Sequence, residues 1–133
     1  MVRRVYEEIQ AAFERGDPGS WIGSDLVADD YEWILDPESL GEQPTYRGPG
    51  GFAEFVADFT EEFAEFSWEV DRVIDAGDDR VVGIVTQHGI GSTSGAPVEW
   101  QIGQVGELKE GRLIRTINYA TPEAALEAAG LSE

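Results

Sequence analysis

The sequence contains no cysteine, one histidine and one lysine, and nowhere do the ~18 apolar residues of a membrane-spanning helix run together. Each scarcity excludes something. Without cysteine there is no disulfide framework, thiolate nucleophile, cysteine zinc site or iron–sulfur cluster, and a single histidine argues against a multi-histidine metal centre. Positive charge is also scarce: 9 Lys and Arg stand against 27 Asp and Glu, a formal net charge of -18. A surface this acidic repels phosphate backbones and anionic headgroups, so neither nucleic acid nor a membrane surface is an expected partner. The start of the chain, Met1-Val2-Arg3-Arg4-Val5-Tyr6-Glu7-Glu8, enters an acid-bearing amphipathic pattern without an apolar signal core, and a cytoplasmic location is expected.

What is present is enough for one domain. The 133 residues suffice for a core without staples, and a hydrophobic content of 41% with the acids dispersed among apolar residues marks a folded chain rather than an acidic tail. Val2, Val5, Tyr6, Ile9 and Phe13 fall at helical spacing until Gly16-Asp17-Pro18, and a second, short helix is expected over 18–23, anchored by Trp21 and Ile22. Tyr31-Glu32-Trp33-Ile34-Leu35 reads as a strand that ends at Asp36-Pro37, and the glycines and prolines of 41–51 read as a loop. Phe52, Phe55, Val56, Phe59 and Phe63 make the stripe of a further helix, with Glu54, Asp58, Glu61, Glu62 and Glu65 opposite.

Four strand patterns follow, at 66–76, 80–90, 97–109 and 112–121, with turns short enough to imply an antiparallel meander. A last helix over 122–129 has Thr121 as its N-cap and stops at Gly130. The order predicts an α+β fold with helices on one face of a curved antiparallel sheet. Gly83, Gly103 and Gly106 inside the strands suggest bulges or bends that curl it. A cavity is expected between the curled sheet and the phenylalanine stripe, of the kind that takes a small apolar ligand.

Asp29-Asp30-Tyr31-Glu32-Trp33-Ile34-Leu35-Asp36-Pro37, Tyr46-Arg47-Gly48, Gly89-Ile90-Gly91-Ser92-Thr93-Ser94-Gly95 and the terminal Glu123-Ala124-Ala125-Leu126 together resemble the SnoaL-like branch of the nuclear-transport-factor-2-like superfamily. The resemblance covers nearly the whole chain. It implies a cone-shaped α+β barrel, shared by ketosteroid isomerases, limonene epoxide hydrolases and polyketide cyclases, and pairing of two copies sheet against sheet. It also implies a general base at Asp36, because the isomerases carry theirs in an Asp-Pro pair directly after the first strand. The other isomerase groups, a helix-one tyrosine and a strand aspartic acid, fall by spacing on Ile9 and Gly103, so that mechanism is not expected. The Asp-Arg-Asp set of the epoxide hydrolases is missing, and His88 fits neither position of the aldol-type cyclases.

The candidate site residues each carry two readings. Asp36 is a general base if its carboxylate faces an apolar cavity, or a turn cap if it serves a nearby backbone N–H. His88 is the natural proton shuttle, or an ordinary imidazole near a strand end. In 98–105 the alternation puts Glu99, Gln101, Gly103 and Val105 on one face, which the resemblance turns toward the cavity; Trp100, Ile102 and Gln104 then form core or a dimer surface. Gln101 and Asn118 offer donors to a ligand carbonyl, and Tyr31, Trp33, Phe55 and Phe59 line the cavity or simply fill the core. The acid pairs Asp29-Asp30, Glu61-Glu62 and Asp78-Asp79 lack metal spacing, Thr93-Ser94 lacks a base, and no phosphate loop precedes a helix, so neither metal nor cofactor is expected. Two functions follow: a cofactor-independent isomerase, cyclase or hydrolase acting on an apolar carbonyl compound, or a binding or dimerisation module without chemistry. A homodimer is expected in either case, through Trp100 and Ile102 on the sheet face.

Overall fold

The computed structural model describes residues 2–14, 22, 27–37, 45–61, 63–77 and 79–131. The elements run α1 (Val2–Glu14), β1 (Val27–Leu35), β2 (Tyr46–Arg47), α2 (Gly48–Thr60), β3 (Phe63–Asp75), β4 (Arg80–Gly91), β5 (Pro97–Lys109), β6 (Arg112–Tyr119) and α3 (Pro122–Ala128). The expected short helix over 18–23 lies outside the described residues except for Ile22, which is buried.

The meander forms as its turns predict. At the β5–β6 tip Glu110 and Gly111 both take positive φ, 53° and 80°, the backbone of a two-residue hairpin whose twist matches its strands. The sheet order is β2-β1-β6-β5-β4-β3. It is not wholly antiparallel: β1 runs parallel to β6, with Trp33 opposite Thr116 and Leu35 opposite Asn118. The sheet is open, with β2 and β3 at its edges.

Two boundaries differ from the sequence reading. The expected loop contains β2, whose two residues pair with Glu32 and Trp33 and are too few for any periodicity to reveal, and α2 already begins at Gly48, where Pro49 is tolerated in the first turn. Phe63 continues the helical spacing of its neighbours yet stands on β3, opposite Gly91; strand pairing overrides a pattern that fits both periods.

The core lies on both faces. On the inner face, covered by α1 and α2, Val5, Ile22, Val27, Tyr31, Trp33, Phe52 and Leu113 form one cluster. On the outer face Val82, Ile84 and Val105 pack against Ala125 and Leu126 of α3 and its C-cap Ala129, so the helices do not gather on one side as expected. Gly103 makes that packing possible. A Cβ there would lie 2.4 Å from the Ala125 Cβ and 3.0 Å from the Thr121 carbonyl oxygen. Gly83 and Gly103 thus sit at regular positions of the β4–β5 ladder, where they admit a neighbour rather than bend the strand; the register shifts fall elsewhere, between Val27 and Glu32, Phe63 and Glu65, Val70 and Arg72, and Glu107 and Leu108.

Candidate functional site

The inner face carries a polar row in an otherwise apolar surface. Tyr6 descends from α1 onto Gly83, where an added Cβ would fall 1.9 Å from its hydroxyl oxygen. Register places Gln104 beside Gly83 on one side and Asn118 on the other. The Tyr6 hydroxyl donates to Gln104 Oε1 at 2.8 Å, Gln104 Nε2 donates to Asn118 Oδ1 at 2.9 Å, and Asn118 Nδ2 donates to the Ile34 carbonyl at 3.0 Å. Gln104 and Asn118 are 8% and 2% exposed, so the row is shut away from bulk water. Burial pushes the Tyr6 phenol far above its ordinary range and keeps the hydroxyl a neutral donor. Each primary amide has two N–H groups, and this row uses one from each.

Aromatic rings stand next to the row. Tyr31 donates to Thr116 Oγ1, and burial raises its phenol too, with the Thr116 bond acting the other way. Trp33 meets Phe52 edge-on at 5.0 Å and Phe55 at 5.4 Å, and Phe55 meets Tyr46 at 5.3 Å. Asp36 follows the Leu35–Asn118 pair directly. It is half-buried, and its amide donates to the Asn118 carbonyl at 2.9 Å.

The outer face beyond α3 is acidic and open. His88 Nε2 lies 3.0 Å from Glu69 and its Nδ1 3.0 Å from Glu99, an arrangement that suits the doubly protonated ring. The Glu69 hydrogen bond holds its pKa above the ordinary value, against some desolvation and with help from the charges of Glu99 and Asp71. Asp71 accepts from Thr86 and, at 3.0 Å, from Gln101. Glu65, Ser67, His88, Ile90, Pro97 and Glu99 help to line an open depression of about 630 Å³ here. At the far end of the same face Arg115 bridges Glu32 and Glu107, and Arg47 also reaches Glu32. Desolvation works to raise the Glu32 carboxyl, but the two arginines outweigh it and hold it below its usual range. Among the described residues no group of three or more acids or histidines is arranged to hold a metal ion.

The expected site residues therefore divide. Tyr31, Trp33, Phe55 and Asn118 come together on the inner face, and Asp36 follows at the end of β1, its amide bonded to the Asn118 carbonyl; Phe59 belongs to α2, but its side chain lies outside what is described. His88, Glu99 and Gln101 lie on the opposite face. Alternation along β5 groups the residues as expected but not the way they point: the inner set is Trp100, Ile102 and Gln104. Trp100 stacks on Phe63 at 5.7 Å and Ile102 is 8% exposed, so they form no exposed patch for a second copy. Gly103 held the clue to direction, because a residue without a side chain marks the face a helix approaches closely.

Tyr6 and Gln104 escaped the sequence reading. Tyr6 hides among the apolar positions of α1, one turn before Ile9, while Gln104 stands out only as an amide between Ile102 and Val105.

A curved sheet built as a meander, extended by a parallel first strand and covered by two helices around a buried polar row, defines an α+β protein of the NTF2-like fold. An NTF2-like protein of unknown function from Burkholderia pseudomallei superposes with a TM-score of 0.68 at 18% identity, covering 94% of each chain. TerC, co-crystallised with polyporic acid, gives a TM-score of 0.68 at 21% identity over 96% of each chain. A protein from Jannaschia, provisionally described as a SnoaL-like polyketide cyclase, gives 0.65 at 16% identity over 98% of this chain and 94% of its own. Within this fold the chain belongs to the SnoaL-like domain family, whose sequence profile matches residues 2–116. No curated protein matches the sequence. No helix among the described residues is long and apolar enough to cross a membrane.

Proposed function

We propose that the protein binds a small apolar, carbonyl-bearing molecule on the inner face and acts on it without a cofactor, as an isomerase or cyclase with Asp36 as general base. The observation that carries this reading is the buried amide pair Gln104–Asn118, with unspent N–H groups, beside the strand end that bears Asp36. Gln104 takes the role expected of Gln101, and Asn118 keeps its own. In the proposed step the Asp36 carboxylate removes a proton from the carbon next to the ligand carbonyl. The C–H pair moves into the new enolate, and the amide N–H groups stabilise the negative oxygen as it forms. Return of the proton from Asp36 to the same or a conjugated carbon completes exchange or isomerisation; attack of the enolate carbon on a second carbonyl would close a ring.

The test is α-hydrogen exchange of 1-tetralone in deuterated water. The wild-type protein should accelerate it, and Asp36→Asn should slow the catalysed rate by about 10²–10⁴-fold while tetralone still binds. Undiminished exchange in Asp36→Asn would remove Asp36 from the chemistry, and binding with no catalysed exchange at all would favour a ligand-binding module.

Pairing of two copies through the open outer face is proposed on the same reading. It would bring the Glu65, Glu69, Asp71 and Glu99 sets of both copies together around the two His88 rings, with Arg72, Arg47 and Arg115 elsewhere on the same face. The imidazolium is present below its raised pKa and is lost as pH rises through it. Association should therefore strengthen as pH falls through that pKa and as salt is added. Sedimentation at micromolar concentration that shows a monomer under all these conditions would refute pairing.

A further inference from the structure

We infer that the indole N–H of Trp33 is a specificity-determining donor, held ready for an oxygen atom of the ligand; the inference rests on the proposal that the inner face is the binding site. Trp33 is only 9% exposed, and its Nε1 is buried with no hydrogen-bond partner among the described residues. A buried donor without an acceptor is costly, and folded proteins rarely tolerate one unless something else supplies the partner. The described neighbours do not. The rings of Phe52 and Phe55 pack against Trp33, and directly across the ladder the Thr116 hydroxyl oxygen is engaged by Tyr31.

The setting also restricts the chemistry of the partner. Trp33 stands one inner-face position before Leu35, the residue paired with Asn118, so its backbone position is offset by about 7 Å along the strand from that of the amide row. Indole N–H and the unspent amide N–H groups are all donors. A molecule with oxygen acceptors at two separated places on a flat apolar body satisfies all of these groups at once. A hydrocarbon of the same shape fills the space but leaves the indole unpaired.

The experiment compares 1,4-naphthoquinone, which has acceptors on opposite sides of its ring, with naphthalene, which has none. With no cysteine in the chain, the quinone has no thiol to alkylate. In a ¹H–¹⁵N spectrum of the wild-type protein the Trp33 indole signal is assigned by elimination, using Trp21→Phe, Trp68→Phe and Trp100→Phe. Naphthoquinone should move that signal downfield and naphthalene should not. Trp33→Phe, which keeps a flat ring, should weaken naphthoquinone about fivefold to tenfold and leave naphthalene unchanged. If both compounds bind the wild-type protein but the Trp33 signal stays put, the donor assignment is overturned while the binding site stands. If neither compound binds, the inner-face reading itself fails and takes this inference with it.

Discussion

Gly83→Ala should destabilise the protein by about 1–3 kcal/mol, a large effect for one methyl group. The new Cβ would lie 1.9 Å from the Tyr6 hydroxyl oxygen, far inside contact distance, so α1 must lift or the tyrosine must leave Gln104. Tyr6→Phe separates the two causes. Alone it removes the donor to Gln104 Oε1, at a cost of about 1–2 kcal/mol. In combination it also removes the clashing oxygen and leaves the ring carbon, 3.0 Å from the Cβ, as the remaining close contact. The double variant should thus be more stable than the sum of the singles predicts, by at least about 1 kcal/mol, in urea denaturation of all four proteins. Strict additivity would mean that Tyr6 does not rest on Gly83 in solution.

Asn118→Ala should cost more, about 3 kcal/mol or above. The side chain is 2% exposed, accepts from Gln104 and donates to the Ile34 carbonyl, so its loss leaves a buried N–H and a buried carbonyl without partners and opens a void. Gln104→Ala breaks the same row at its middle, so the double alanine variant should fall well short of the sum of the two. A melting temperature within a few degrees of wild type in Asn118→Ala would show that water replaces the amide, and that the inner face is wetter than the row suggests.

Which parts of this molecule could be read beforehand follows from the range of each signal. Turn residues and strand periodicity are local, and they gave the meander from Arg80 to Tyr119 and the capped C-terminal helix with its Thr121 bond to Ala124. Alternation in β5 correctly grouped Trp100, Ile102 and Gln104. Which way that group points depends on α3, which packs on Gly103; the bare glycine marks a closely approached face, but the helix that covers it lies outside β5. The parallel β1–β6 pairing likewise joins residues about eighty positions apart. The site suffered most from this limit. Asn118, Tyr31 and Trp33 are legible as candidates from their type and strand position, but Tyr6 and Gln104 join them on the inner face only because register brings an α1 hydroxyl over a glycine next to an amide. His88 drew attention as the only imidazole; its two carboxylate partners, Glu69 and Glu99, lie on the strands to either side.

The polar row has a further consequence for how the molecule comes into being. Its central bond, Gln104 to Asn118, spans only 14 residues and belongs to a hairpin, but the bonds that flank it bridge 98 and 84. A chain made from its N-terminus produces Tyr6 and Tyr31 early, but their hydrogen-bond acceptors, Gln104 and Thr116, belong to the last two strands. Contacts between such distant positions form late, after the loop between them has been closed at an entropic cost. The meander can assemble first from its own short turns. The inner face, by contrast, is whole only when the first strand is docked against the last.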